Sequence, residues 1–167
     1  SFNRNENEYN NPSYKTSNMS FATTHGTSVK SATFNNLFSD MGTIAGKMKD
    51  SSHLLLYTYD HGDGEYDKKL DTADYLCGWG ENITSKMVRD SLYQVQKGYV
   101  TAVFGQCFSG GILDDLFTPS SGSQIMSYDD RNGDSRTYTG TAKFYGMAAT
   151  NHYEYSLTFT FMSSYVG

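Results

Sequence analysis

Apolar residues are spread unevenly along the chain, and their spacing divides it into a few elements. From Ala32 to Met48, residues Phe34, Leu37, Phe38, Met41, Ile44, Ala45 and Met48 recur every three or four positions. That spacing puts them on one stripe of a helix with a core-facing side. His53 to Tyr59 is short, apolar and aromatic, which predicts a buried strand, and Asp60 to Gly64 is the loop leaving its C-terminal end. Glu65 to Glu81 shows no clear period and reads as an acidic loop. Ile83, Met87, Val88, Leu92 and Val95 then mark a second amphipathic helix that stops at Lys97-Gly98. Tyr99 to Phe104 predicts a second buried strand and Ile112 to Phe117 a further helix. Thr118 to Thr141 is a long polar loop or hairpin, and Ala142 to Thr150 a third strand.

Alternation of helix and strand implies parallel pairing with helices on the faces of the sheet, and therefore an α/β fold. In such sheets ligand sites gather at the C-terminal ends of the strands. His61 and Cys107 each follow such an end, on successive strands, so the topology brings together two side chains that are distant in sequence.

The polar segment from Ser1 to about Ser31 lacks any period and is rich in Asn, which predicts a loop or an arm wrapped on a neighbour. The remaining residues, 32–167, form the core of what reads as a single domain, since 167 residues suffice for one core and not for two. Eighteen acidic against thirteen basic side chains give a formal charge of -5, without a Lys/Arg-rich block, so the electrostatic footprint of a nucleic-acid binder is missing. No apolar run is long enough to span a membrane. Cys77 and Cys107 are too few for a disulfide framework and are expected to be free. The chain begins at Ser1 rather than Met, which leads to the expectation of a removed leader or of a piece of something larger, with a secreted or cell-surface setting favoured over others.

Cys107 lies in Phe104-Gly105-Gln106-Cys107-Phe108-Ser109-Gly110-Gly111, at the junction of a strand and a helix. There a helix N-terminus can stabilise a thiolate, and small residues let a substrate backbone approach. A buried cysteine acting only as a small apolar residue is the competing reading. Thiol attack needs a base that can later act as an acid, and His61 supplies one. The backbone N–H of Gly62, with that of Cys107, is placed to hold the oxyanion of a tetrahedral intermediate.

The strand ending in Tyr59-Asp60-His61-Gly62 and the later strand ending in Gln106-Cys107-Phe108-Ser109-Gly110-Gly111 resemble the caspase and legumain clan of cysteine peptidases, most closely its bacterial legumain-like members. The resemblance runs from about Ser31 to about Ser156. It implies a three-layer caspase-like sandwich with a mostly parallel central sheet, and a Cys107–His61 dyad that cleaves peptide bonds through a thioacyl-enzyme. Gly105 and Gln106, and Asn151 and Glu154 in the loop after the third strand, correspond to positions that line the substrate cleft. Two positions before the nucleophile, caspases carry Gln, legumains Glu and metacaspases Asp. Gly105 replaces them here, so no charge preference carries over. The resemblance also implies that further residues or a second chain complete the sheet.

The substrate is then a peptide or protein, and no cofactor or metal is required. Ca²⁺ is the one ion worth weighing. Asp60, Asp63, Glu65, Asp67, Asp71 and Asp74 crowd one loop, which reads first as a solvated acidic face. Asp130, Asn132 and Asp134 have the alternate spacing of a Ca²⁺ loop but lack its Gly and its terminal Glu, and read as a polar turn. His25-Gly26 repeats the dipeptide of His61 without a strand before it. Two rivals stand beside the peptidase: an α/β-hydrolase with Cys107 at a nucleophile elbow and His152 as base, and a caspase-like binding module without turnover.

Overall fold

The computed structural model describes residues 30–64, 74–78, 80–117, 126–151 and 154–156. It is a mixed α/β structure around a parallel three-stranded sheet. Helix α1 (Phe34–Ala45) begins where the Thr33 hydroxyl accepts the Asn36 N–H, and it buries Phe34 and Met41. Strand β1 (His53–Thr58) follows, then β2 (Gly62–Asp63), β3 (Tyr75–Cys77) and β4 (Asn82–Thr84). Helix α2 (Ser85–Leu92) leads to β5 (Tyr99–Phe104), and α3 (Ser109–Phe117) leaves it. Strands β6 (Met126–Asp129) and β7 (Ser135–Tyr138) form a hairpin ahead of β8 (Lys143–Ala148).

The main sheet has the order β1-β5-β8, with all pairings parallel. Its register aligns Thr58 with Phe104 and Phe104 with Ala148, so the three strands end level. On one face Leu54, Leu56, Val100, Ala102, Phe104 and Phe144 meet the apolar stripes of the helices, including Met41, Leu92 and Ile112. Val88, Leu92, Val95, Val100 and Phe104 have no exposed surface left. At about 1.5–3 kcal/mol for each large side chain removed from water, this layer holds the fold together. The opposite face carries Leu55, Tyr57, Tyr145 and Met147, which are between 40% and 65% exposed. The described residues thus make two layers, helices against one face of a sheet.

Three predicted elements differ from this structure. Residues 62–84, expected as loop running into a helix, hold the antiparallel sheet β2-β3-β4 at their described ends. Ile83, expected on the second helix, lies in β4 and is buried there. The helix starts two residues later because the Thr84 hydroxyl accepts the Met87 N–H and caps it. Helix α3 begins at Ser109 rather than Ile112.

The polar turn at Asp130 is built by its carboxylate, which accepts N–H bonds from Asn132 (2.8 Å), Asp134 (3.0 Å) and the Arg136 side chain (2.9 Å). Gly133 takes the left-handed conformation that closes the turn. The hairpin is fastened to α2 by Arg89, which donates to the Asp129 carbonyl, and by Asp90, which accepts the Arg131 N–H at 2.9 Å. Burial pushes the Asp90 carboxyl above the usual carboxylate range, against the opposing pull of the Arg131 amide and the Arg89 guanidinium.

Candidate functional site

The level ends of β1 and β5 fix the site. The ladder between the two strands continues one step, with Gly105 N–H donating to the Thr58 carbonyl at 2.9 Å. Residues after Thr58 and residues after Phe104 therefore leave the sheet side by side, and those residues include His61 and Cys107.

The Cys107 loop is tightly held. Gln106 is buried, and its Oε1 accepts the Thr58 hydroxyl at 3.0 Å. Phe108, also buried, has φ 57, a left-handed backbone that disfavours any side chain, and its N–H donates to the Glu154 carbonyl at 2.9 Å. Ser109 opens α3 with no exposure. Its N–H donates to the Thr150 hydroxyl (3.3 Å), and its own hydroxyl accepts the Ala149 N–H (3.2 Å).

The thiol itself meets the chain returning after β8. Ser156 N–H donates to Cys107 Sγ at 3.2 Å, and Sγ lies 3.9 Å from the Ser156 carbonyl oxygen. Tyr155 packs edge-on against Phe108, with ring centroids 5.0 Å apart. Cys107 and Cys77 are not joined in a disulfide, in line with the sequence.

The His61 loop is more open. His61 is exposed, its N–H donates to its neighbour Asp60 at 2.7 Å, and its carbonyl accepts the Cys77 N–H at 3.0 Å. Among the described residues no hydrogen bond joins the His61 ring to the thiol. The backbones are nonetheless in contact through Gly62. A Cβ placed on Gly62 would lie 2.8 Å from the Cβ of Gln106 and closer still to the Cys107 carbonyl oxygen. In the β2–β3 ladder Gly62 stands opposite Leu76, while His61 and Asp63 face the partner strand. Peptide groups alternate sides along a strand, so the Gly62 N–H points away from β3.

The other predicted cleft residues fall as follows. Gly105 is buried, and a Cβ there would meet the Tyr59 ring at 3.2 Å and the Thr58 carbonyl at 3.3 Å, so Tyr59 fills the direction a larger residue would take. Gln106 is in the wall of the site rather than free within it. Asn151 is exposed, with its backbone against Gly110, and Glu154 is exposed, with its carbonyl on the Phe108 amide. The structure thus brings 151 and 154 to the start of α3, beside Cys107. His25, His152, Glu65, Asp67 and Asp71 lie outside the described residues. Among the described residues no cluster of three His, Cys, Asp or Glu side chains is arranged to hold a metal ion.

Sequence reasoning missed Thr58, Tyr59 and Ser156. The first two were legible in principle, because a parallel register that aligns Thr58 with Phe104 makes the residues after them neighbours. Ser156 meets the thiol across 49 positions of sequence, which no local pattern announces.

Beside these loops is a cavity of about 420 Å³, between the end of β1, the strands β3 and β4 and the start of α1. Leu37, Leu56, Tyr59, Leu76, Ile83 and Gln106 are in its wall. No protein family matches the chain, and neither a curated protein nor a solved structure matches it significantly. Among the described residues no helix is long and apolar enough to cross a membrane.

Proposed function

We propose that this chain is a cysteine endopeptidase of caspase-like fold, with Cys107 as nucleophile and His61 as general base and acid. The observation that carries the reading is the level, parallel pairing of β1 with β5, which delivers a His-Gly and a Cys-Phe-Ser-Gly to one place with the Gly62 backbone against that of Cys107. In the reaction Cys107 Sγ attacks the peptide carbonyl while His61 takes the thiol proton. The N–H groups of Gly62 and Cys107 receive the oxyanion, and His61 returns the proton to the leaving amine. Water then cleaves the thioacyl-enzyme with His61 again as base. The exposure of His61 suits a residue whose ring settles only when substrate fills the cleft, since catalytic hydrogen bonds often tighten on binding. The sheet in this proposal is the core of a three-layer sandwich, with the open face of β1-β5-β8 covered by further polypeptide or a second chain.

The hydrolase elbow is less well supported. Such an elbow puts its strain at the nucleophile, whereas the left-handed residue in this turn is Phe108, one position later.

The test is labelling and hydrolysis together. A peptidyl electrophile should modify Cys107 alone and faster than iodoacetamide does. Cys107→Ala should abolish peptide hydrolysis, and His61→Ala should lower it by about 10²–10⁴. A larger effect from His152→Ala than from His61→Ala would remove this mechanism, and an unreactive Cys107 would favour the binding module.

A further inference from the structure

The cavity beside the two loops bears on which peptides would be cut. Its wall includes Gln106, covalently next to Cys107, and Asp60, covalently next to His61. Cys77, also in the wall, donates its N–H to the His61 carbonyl. The space thus adjoins the chain neighbours of Cys107 and His61, neither of which is itself in the wall. During cleavage the residue on the acyl side of the scissile bond is the one bonded to sulfur, so its side chain is the one held within reach of such a space.

The wall is mostly apolar, with Asp60 as its one charged side chain. Leu37, Leu56, Leu76 and Ile83 give it aliphatic surface and Tyr59 an aromatic one. Leu76 and Ile83 are core residues, about 95% buried, so that side of the wall is fixed in shape. Among the described lining residues there is no Lys or Arg to meet an acidic side chain. The single carboxylate there, Asp60, already accepts the His61 N–H at 2.7 Å. The Tyr59 ring lies against Gly105, where a Cβ would meet it at 3.2 Å. Gln106 is likewise engaged, with its Oε1 on the Thr58 hydroxyl. An acidic side chain entering this space would meet no cation and a basic one a single carboxylate already bonded to the His61 N–H, whereas an apolar one would exchange water for contact on several sides.

We infer that this cavity receives the side chain preceding the scissile bond and selects a bulky, uncharged apolar or aromatic residue there. The inference rests on the peptidase reading and adds the substrate class to it. Leu56 and Tyr59 at the end of β1, with Leu37 facing them from α1, are the specificity-determining residues.

The experiment compares peptidyl acyloxymethyl ketones that differ only in the residue carrying the electrophile, namely Leu, Phe, Ala, Asn, Asp and Arg, on the full chain. Cys107 modification is followed by intact mass, with iodoacetamide as the small reference reagent. Leu or Phe should modify Cys107 at least about tenfold faster than Asp or Arg, the scale on which a hydrophobic pocket discriminates. Leu37→Trp, which fills the cavity from α1, should slow the Leu and Phe reagents several-fold more than it slows the Ala reagent. Fastest modification by Asn, Asp or Arg would overturn the inference and leave the peptidase standing. Unchanged Leu and Phe rates in a folded Leu37→Trp variant would also overturn it. A set of peptidyl reagents none of which outruns iodoacetamide would remove the peptidase reading, and the inference with it.

Discussion

The loops that leave β1 and β5 start from the same level of one sheet, yet they are held in opposite ways. After β5, Gln106, Phe108 and Ser109 are all at most 2% exposed, and each is bonded to a different element: Thr58 at the end of β1, Glu154 in the returning chain and Thr150 after β8. After β1, Tyr59 and His61 are exposed, and the backbone of His61 itself is held by a bond to the side chain of its own neighbour and a bond from β3. Strand position explains part of this contrast. β5 is flanked by β1 and β8 and loses one full face to the core, whereas β1 has β5 as its one partner in the described sheet. The lesson is a division of labour: the proposed nucleophile is fixed by the scaffold, and the proposed base is free to adjust to substrate.

The largest effect should come from forcing the two loops apart. Gly62 is where they touch, and Ala there would press its methyl against the Cys107 carbonyl and the Gln106 side chain. Because neither neighbour can yield without moving a held backbone, Gly62→Ala should lower kcat/KM by at least about 10²-fold, the cost of a misplacement on the order of 1 Å. Gly46→Ala is the control, since a Cβ there meets nothing nearer than 3.6 Å. Equal activity of the two variants would show that the approach of the loops is irrelevant to the chemistry.

The next contrast is in stability. Gln106→Leu removes the 3.0 Å acceptor of the Thr58 hydroxyl, leaving it the longer bond to the Val103 carbonyl at 3.4 Å, and should cost about 0.5–1.5 kcal/mol in chemical denaturation. The double variant Thr58→Val/Gln106→Leu should recover most of that, because removing both partners leaves nothing unsatisfied. On the other loop, Asp60→Ala should change stability by no more than about 0.5 kcal/mol, as for most exposed sites. A cost for Asp60→Ala as large as for Gln106→Leu would erase the proposed asymmetry.

The asymmetry also decides what could be read from the sequence. β1, β5, β8 and α1 were legible because each has enough apolar positions to show a period, and the two loops followed from the strand ends. The sheet β2-β3-β4 was not, because its strands are two or three residues long and too short to display alternation. Ile83 fitted a helical spacing with Met87 equally well, and the cap at Thr84, which separates the two readings, is a single hydroxyl bond. The identities of His61 and Cys107 were visible as residue types at strand ends. The tightness of one loop and the looseness of the other depend on Thr58, Thr150 and Glu154, whose roles arise from contacts across more than 40 positions of sequence.

The smallest effect separates two terms within the rigid loop itself. Phe108 combines a buried ring, in edge contact with Tyr155, with a left-handed backbone at φ 57. Loss of the ring costs about 3–5 kcal/mol, while the strain of a side chain in that conformation is about 1–2 kcal/mol. Packing therefore outweighs strain, and both Phe108→Ala and Phe108→Gly should be destabilised. They should not be equal. Ala loses the ring and keeps the Cβ penalty, whereas Gly loses the ring and is relieved of it, at the expense of a more flexible unfolded chain. The Gly variant should accordingly unfold about 1 kcal/mol later than the Ala variant, an inversion of the usual order of these two residues. Melting curves for the three proteins decide the matter. An Ala variant more stable than the Gly variant would mean that the turn relaxes out of the left-handed region once the ring is gone, and that the ring, rather than the hydrogen bond from Phe108 N–H to Glu154, holds the Cys107 loop in shape.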